Sequence, residues 1–276
     1  FLEPFAEKVR ALPHINKLII SGNIEKELIS INSDSFLGRE TIDIYLNQYK
    51  KNYLNKTILV TGGGGSIGLE LCKQLTNLRP KKIVLVDISE LAIYNAIKSL
   101  ESIKNKYDIE FILGSVNDND FLENVFVKYN INVVFHAAAH KHVSIVEDNI
   151  IESFKNNVLG TKNLISFSTK NNIERFVLVS TDKAVNPKSL MGITKRLTEL
   201  ITQDYSERYK KINFSIVRFG NVLGSSGSVI PLFKNQILNG GPITITDKNM
   251  TRYFMSISEA AKLIMISGSF TSQADI

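Results

Sequence analysis

Two stretches of this chain carry groups able to move protons and hold anions. The first is Ser180-Thr181-Asp182-Lys183, followed after a short gap by Met191-Gly192-Ile193-Thr194-Lys195. A hydroxyl, a carboxylate and an ammonium side by side could exchange protons with a substrate in either direction. By position alone, an Asp–Lys pair in a solvated loop is an equal reading. The second stretch is Gly62-Gly63-Gly64-Gly65-Ser66-Ile67-Gly68, in which Gly62, Gly65 and Gly68 fall in a GxxGxxG spacing. That spacing suits a turn too tight for a Cβ, backbone amides brought close to a pyrophosphate, and a helix packed against its strand. The helix opening at Ser66 and Ile67 offers amides and a favourable dipole to phosphates. Asp87 follows about 20 residues later, where a carboxylate accepts from ribose hydroxyls and repels a 2′-phosphate, so NAD is expected rather than NADP.

These residues need elements to hold them. From Thr57 onward, short apolar runs alternate with helical-period segments, the pattern of βαβ units around a parallel sheet. Strands are expected at Thr57–Thr61, Ile83–Asp87, Glu110–Leu113, Val133–His136, Phe176–Ser180 and Phe214–Arg218. Helices are expected near Ser66–Leu78, Glu90–Asn105, Asp118–Tyr129, Asn157–Asn171 and Gly192–Tyr209. Continuous apolar strands mean that helices cover both faces of the sheet. The glycine loop then sits at the end of the first strand and Thr181–Lys183 at the end of a later one, at the carboxyl edge where open sheets bind ligands. The fold expected is α/β, a Rossmann-type doubly wound parallel sheet with a partial C-terminal substrate lobe. Residues 1–56 read as a lead-in or linker, 57–220 as the NAD-binding domain and 221–276 as part of the substrate lobe.

Composition narrows the class. The chain has 276 residues, 43% of them hydrophobic, enough for one large α/β domain or two small ones. A single cysteine, Cys72, excludes a disulfide framework and reads as a small core residue in a reducing compartment. No apolar run approaches the ~20 residues needed to span a bilayer, and no signal-peptide pattern follows Phe1. Lys plus Arg number 33 against 27 Asp plus Glu, a net charge of +6. The basic pairs Lys50-Lys51, Lys81-Lys82 and Lys210-Lys211 stand apart, which favours a solvated surface suited to small anionic ligands over a nucleic-acid face. His136, His140 and His142 lack Cys or carboxylate partners, so no metal is expected.

The TGGGGSIG loop, the run Ala137-Ala138-Ala139-His140-Lys141-His142-Val143, Asn156-Asn157-Val158-Leu159-Gly160-Thr161, the STDKAVNP stretch and Met191…Lys195 resemble the extended short-chain dehydrogenases/reductases. More narrowly, they are similar to the UDP-N-acetylglucosamine 4,6-dehydratases of bacterial polysaccharide and glycan biosynthesis. The similarity runs on through Arg218–Pro231 and Met250–Met255, and the lead-in Phe36-Leu37-Gly38-Arg39-Glu40 resembles the segment preceding this domain in the long, membrane-anchored members. Two positions depart from the wider superfamily. Met191 stands where a tyrosine base is usual, as in the long dehydratase branch, and cannot exchange a proton. Ser115 stands where relatives often carry an aspartate that contacts adenine.

The resemblance implies an NAD-dependent nucleotide-sugar 4,6-dehydratase, a lyase acting in polysaccharide biosynthesis or protein glycosylation. Bound NAD+ takes a hydride from C4 of UDP-GlcNAc, water leaves from C5 and C6, and the hydride returns to C6. The product is a UDP-2-acetamido-2,6-dideoxy-4-keto-hexose. In these terms Asp182 is the acid for the 6-hydroxyl, Lys183 the base at C5, Lys195 the ribose-binding cation, and Thr181, or a water it orients, the relay replacing the missing phenol of position 191. Gly62, Gly65, Ser66, Ile67, Gly68, Asp87, Ala137, Ala138 and Asn157 join Lys195 in holding the cofactor, with Asn157 also ordering the catalytic strand end. Lys141, Asn221 and Arg252 hold the UDP-sugar. Retention at C5 is favoured over inversion. The rivals are a UDP-sugar 4-epimerase or reductase, against which Met191 and Asp182-Lys183 both argue, and a non-catalytic nucleotide-binding module.

The resemblance also implies that Phe1 and Ile276 are not the natural ends. Relatives continue past the helix expected at Ser256–Ser267 into a further strand and a helical lobe, leaving the sugar site open on one side here. Upstream, membrane-spanning helices would put the full-length protein on the cytoplasmic face of the bacterial inner membrane, with no membrane contact by this fragment itself. Pairing of copies through helices flanking the sheet is a further expectation.

Overall fold

The computed structural model describes residues 46–270 together with positions 10, 11, 29, 30, 37, 39, 274 and 276. Most of the lead-in expected over 1–56 lies outside the described residues, as does its motif at 36–40 apart from Leu37 and Arg39. The chain divides into two compact units, Ile42–Asn221 with Ile257–Ile276, and Val222–Ser256 with Phe1–Thr41.

The first unit is built on six parallel strands, β1 (Thr57–Thr61), β2 (Lys82–Asp87), β3 (Ile109–Leu113), β4 (Val133–His136), β5 (Arg175–Thr181) and β6 (Asn213–Phe219), in the order β3-β2-β1-β4-β5-β6. This is the Rossmann-type doubly wound order, and it reverses between β1 and β4. There Thr61 pairs with Val86 on one side and His136 on the other. Every residue of β1 is buried, because successive side chains enter opposite cores. Ile58 and Val60 join one cluster with Leu71, Leu75, Leu85 and Phe135. Leu59 joins the other with Val86, Val134, Leu164 and Phe176.

Helices α1 (Ser66–Thr76), α2 (Glu90–Ser99), α3 (Asn119–Tyr129), α4 (Gly160–Lys170), α5 (Leu190–Arg208) and α6 (Ile257–Ser267) belong to this unit. Three begin where a side-chain oxygen can take an otherwise orphaned amide: Ser89 accepts from Ala92, Asp118 from Phe121 and Ser189 from Gly192. The helix expected over 90–105 breaks at Leu100, a fully buried residue at φ −106°, ψ 6°, and resumes as the single turn Glu101–Lys104. The helix expected from Asn157 is part of a longer helical run that opens at Ile150–Phe154 and continues into α4, and between them Lys155–Leu159 form a π turn, a local widening that often marks functional sites.

Two segments outside the βαβ series complete the core. Tyr53, following the 3-10 helix Leu46–Asn52, is fully buried with its ring 5.8 Å from that of Phe135. Its hydroxyl donates to the Met265 carbonyl of α6 and accepts from the Ser269 hydroxyl, and burial pushes its pKa well up. Helix α6 is further tied to α1 by Gln74, whose amide donates to Ser258 Oγ at 2.9 Å. In the second unit, helix Val229–Leu238 is followed by a loop that Gln236 braces through Thr244. The Met255 carbonyl there accepts from the Leu223 amide at 2.9 Å. Among the described residues no helix is long and apolar enough to cross a membrane.

Candidate active site

The carboxyl edge of the sheet gathers the expected cofactor residues at the point where strand order reverses. Gly62 leaves β1 at φ +65°, and a Cβ there would lie 2.6 Å from the Ala138 backbone nitrogen beyond β4. Gly68 in the first turn of α1 faces the Gly62 carbonyl oxygen at 2.3 Å from the same hypothetical atom. Hydrogen-only positions are thus what let the loop, the helix and Ala137-Ala138 converge. The spacing drew attention to Gly62, Gly65 and Gly68, but Gly63 and Gly64 are equally confined, by the Leu85 side chain and by Ala92. Gly65 is the exception. It is exposed, a Cβ on it would meet only the Gly62 carbonyl oxygen at 3.2 Å, and it caps α1, so Ser66 and Ile67 open the helix at the exposed rim of the loop.

Asp87 ends β2 with both carboxylate oxygens engaged by backbone. Oδ2 accepts from the Gly64 amide at 3.1 Å and Oδ1 from Ser89 at 3.0 Å. A cleft of about 110 Å³ opens beside it, lined by Thr61, Gly62, Asp87, Ser115, Ala138 and Asn156 among others. Ser115 therefore does line this cleft, although its Oγ is occupied in accepting from the Asn117 amide at 3.1 Å. Asn156, 7% exposed, lines the cleft as well, although within its motif only the neighbouring Asn157 was expected to hold the cofactor. A larger depression of about 400 Å³ lies at the start of edge strand β3, around Lys104, Tyr107 and Glu110, away from all the expected site residues. The glycine cradle and the acid-lined cleft fit a dinucleotide: amides and a helix end for phosphates, a carboxylate for a ribose.

The second cluster lies where β5 ends. Thr181 Oγ1 donates to Asp182 Oδ1 at 2.9 Å, Lys183 Nζ donates to the same oxygen at 2.9 Å, and Lys183 also donates to Asn221 Oδ1 at 3.2 Å. Hydroxyl, carboxylate, ammonium and amide thus form one hydrogen-bonded row. Burial alone would raise the Asp182 pKa, but the bonds from Lys183 and Thr181 outweigh it and hold the carboxyl below its usual range. Asp182 is therefore an ionised partner of Lys183 here.

Helix α5 abuts this turn. A Cβ on Gly192 would sit 2.5 Å from the Lys183 carbonyl oxygen, so no larger residue would allow the approach. Met191, 5% exposed, and Lys195, 7% exposed, lie one helical turn apart. Lys195 Nζ donates to the Val179 carbonyl at 2.6 Å, and burial lowers its pKa to about 8 against an opposing pull from Glu199.

Asn157, in the π turn, joins the two clusters. Its Oδ1 accepts from the His140 amide at 2.7 Å, and its Nδ2 donates to the His140 carbonyl and to Thr194 Oγ1, both at 3.1 Å. It thus orders the loop after β4 and touches α5 beside Lys195; its bonds do not reach the end of β5. His136 is fully buried between two threonines. The Thr161 hydroxyl gives its proton to the Asn157 carbonyl at 2.5 Å, so His136 Nε2 must donate to Thr161 at 2.8 Å and Nδ1 accept from Thr61 at 2.7 Å. Burial lowers the His136 pKa to about 3, and the ring stays neutral. With both nitrogens engaged it has no lone pair for a metal, and no metal-holding cluster occurs among the described residues. Cys72 is buried in the core, where desolvation pushes the thiol pKa up.

Of the expected sugar-nucleotide contacts, Asn221 joins the hydrogen-bonded row and Lys141 lies exposed in the loop after β4. Arg252 belongs to the second unit, exposed, with Nη1 donating to the Thr251 carbonyl at 2.7 Å.

The chain is 42% identical over 267 residues to the capsular polysaccharide biosynthesis protein CapD of Staphylococcus aureus, covering 96% of this chain and 44% of that protein. It therefore spans under half the length of that relative. A UDP-N-acetylglucosamine 4,6-dehydratase (inverting) of Campylobacter jejuni is 36% identical, over 76% of this chain and 62% of its own. A UDP-glucose 4-epimerase of Rickettsia rickettsii is 34% identical, over 81% and 66%. Among solved structures, Pen from Bacillus thuringiensis superposes with a TM-score of 0.72 at 34% identity, covering 78% of this chain and 67% of that one. The dTDP-glucose 4,6-dehydratase DesIV of Streptomyces venezuelae, solved with NAD bound, shares the fold at a TM-score of 0.69 and 21% identity, over 78% and 72%. Residues 58–276 match the family described as polysaccharide biosynthesis protein, and the chain belongs to that family.

Proposed function

We propose that this chain is the catalytic domain of a UDP-N-acetylglucosamine 4,6-dehydratase serving glycan or polysaccharide biosynthesis. The observation that carries the reading is the row Thr181–Asp182–Lys183–Asn221 set beside Lys195, with a methionine where a phenol would otherwise act. Gly62, Gly65, Ser66, Ile67, Gly68, Ala137 and Ala138 would hold the pyrophosphate side of NAD, Asp87 a ribose, and Asn157 and Lys195 the nicotinamide side. When bound, NAD supplies a reversible two-electron exchange, oxidising the sugar at C4 and later reducing it at C6.

The row accounts for the proton traffic of dehydration. An ion pair and a neutral pair differ by one proton moved along the 2.9 Å Lys183–Asp182 bond. Water favours the ion pair; a bound sugar that desolvates both groups favours the neutral one. That transfer creates a free amine at Lys183 and a protonated Asp182 together. Lys183 then takes the C5 proton while Asp182 protonates the departing 6-hydroxyl, and the resting pair is restored as water leaves. When C6 is reduced, Lys183 gives its proton back to C5. Thr181, in contact with Asp182, can pass the 4-hydroxyl proton that Met191 cannot accept out to water, and one proton from water reloads Lys183. Lys195 contributes a buried positive charge that favours loss of that proton. Asn221 reports sugar position to Lys183 directly, and Lys141 and Arg252 would grip the UDP portion.

The domain partition belongs to the same proposal: a cofactor domain over 57–220, to which residues 257–276 belong rather than to the lobe expected over 221–276, and a substrate lobe over 221–256. So do a membrane-anchored full-length protein on the cytoplasmic face, homo-oligomer formation, and the absence of nucleic acid among its partners. The test is to incubate full-length protein with UDP-GlcNAc and follow product by mass and NMR. Loss of one water with a 6-deoxy-4-keto sugar supports the reading, and the C5 configuration separates the favoured retention from inversion. An isomer of unchanged mass would establish the epimerase reading instead. Binding without conversion would establish a non-catalytic module.

A further inference from the structure

Helix α5 grips β5 twice within one turn. Lys195 donates to the Val179 carbonyl at 2.6 Å, and Glu199, four residues on, accepts from the Ser180 hydroxyl at 2.5 Å. Glu199 is fully buried. Its Oε1 also accepts from Arg218 Nε at 2.8 Å, while Oε2 accepts from Arg218 Nη2 at 2.6 Å and Arg196 Nη1 at 2.9 Å. Ser180 and Arg218 are paired neighbours in the β5–β6 ladder. From Ser180 the chain runs directly into Thr181–Lys183, and from Arg218 it runs to Asn221. The two arms meet again where Lys183 donates to Asn221. A closed frame results, with Glu199 at its base and the Lys183–Asn221 bond at its tip.

We propose that Glu199 is a positioning residue: its carboxylate fixes the separation of the two arms that carry Thr181–Lys183 and Asn221. The proposal rests on the reading above that Thr181–Lys183, Lys195 and Asn221 meet the substrate. A carboxylate forked by a guanidinium and held by two further donors cannot rotate, so the strand ends it joins cannot drift apart. The charged and titratable groups around Lys195 are Glu199 and Arg196 on α5, Arg218 on β6 and neutral His136 on β4, with the Asp182–Lys183 pair following β5. Burial favours a neutral amine at position 195, and the Glu199 carboxylate, one helical turn further on, opposes it and favours the ammonium.

The test labels lysine with 13C and follows the Lys195 side chain by NMR across pH, the signal assigned with Lys195→Arg. In Glu199→Gln, Lys195 should titrate about one pH unit lower than in wild type. An unmoved or raised titration overturns the electrostatic role, which a purely structural residue would not have. Ser180→Ala keeps every charge and removes the bond to β5. It should lower UDP-GlcNAc turnover about tenfold or more with the Lys195 titration unmoved; wild-type turnover overturns the positioning role and keeps the proposal testable even should Glu199→Gln not fold. Absence of turnover in the wild-type protein would sink the dehydratase reading itself, and the Lys195 titration would still decide the role of Glu199.

Discussion

The ends of β1 and β5 face the same edge of one sheet but are held in place by different forces. At β1 the determinants are steric. Gly62, Gly63, Gly64 and Gly68 leave room for backbone to meet backbone, and Asp87 is oriented by two amides. At β5 the determinants are charges: Asp182 with Lys183, Glu199 with Arg218 and Arg196, and a lysine kept close to losing its proton. The glycine packing that shapes this cradle involves no titrating group, so its steric fit is indifferent to pH. A turn made of ion pairs can exchange protons, and for that reason responds to its surroundings.

Substitutions can break this contrast. The largest effect is expected for Asp182→Asn, which should reduce turnover about 10³-fold while leaving NAD affinity, measured by calorimetry, within twofold of wild type. Next is Arg218→Ala, which leaves Glu199 buried with one fewer partner and should lower unfolding free energy by about 3 kcal/mol in urea titrations. Desolvation would raise the Glu199 pKa, but its bonds to Arg218, Ser180 and Arg196 hold it below the usual glutamate range. The stability this contributes is present above the unfolded-state pKa of about 4.3 and is lost as pH falls through the folded one; the acid-side slope should shrink in Arg218→Ala. Gly62→Ala should cost about 2 kcal/mol and weaken NAD binding by a similar factor at pH 6 and pH 9, since nothing in its clash titrates. Met191→Leu should change turnover less than about threefold, because a similar volume is kept and no proton step uses the thioether. A loss of several hundredfold there would reveal chemistry at a position to which no proton step is assigned.

The same contrast governs what could be read before the structure. The six strands and the glycine loop were legible because β-branched runs, glycine spacing and an acid about 20 residues later are local signals. The turn at 181–183 and Met191…Lys195 were legible through family resemblance. What escaped was non-local. Glu199 looks like any glutamate in a helix until Arg218, on another strand, is seen to fork it. Tyr53 sits in a polar, Asn- and Lys-rich stretch, and its burial depends on Phe135 and on α6, more than 200 residues away in the chain. The π turn at Lys155–Leu159 leaves no periodic trace, yet it is what allows Asn157 to hold the His140 loop and touch α5 together.

Gly192 carries a consequence for motion. With a single hydrogen atom between helix α5 and the Lys183 carbonyl, the helix and the turn have no slack to slide past one another. Backbone rearrangement there is blocked, so adaptation to a ligand falls to the outer side chains, Asp182 and Lys183, which retain 50% and 38% of their surface in solvent. The backbone of the site is thus held while its two ionic side chains are the parts exposed enough to turn toward a ligand, and exposed side chains reorient on the picosecond-to-nanosecond scale.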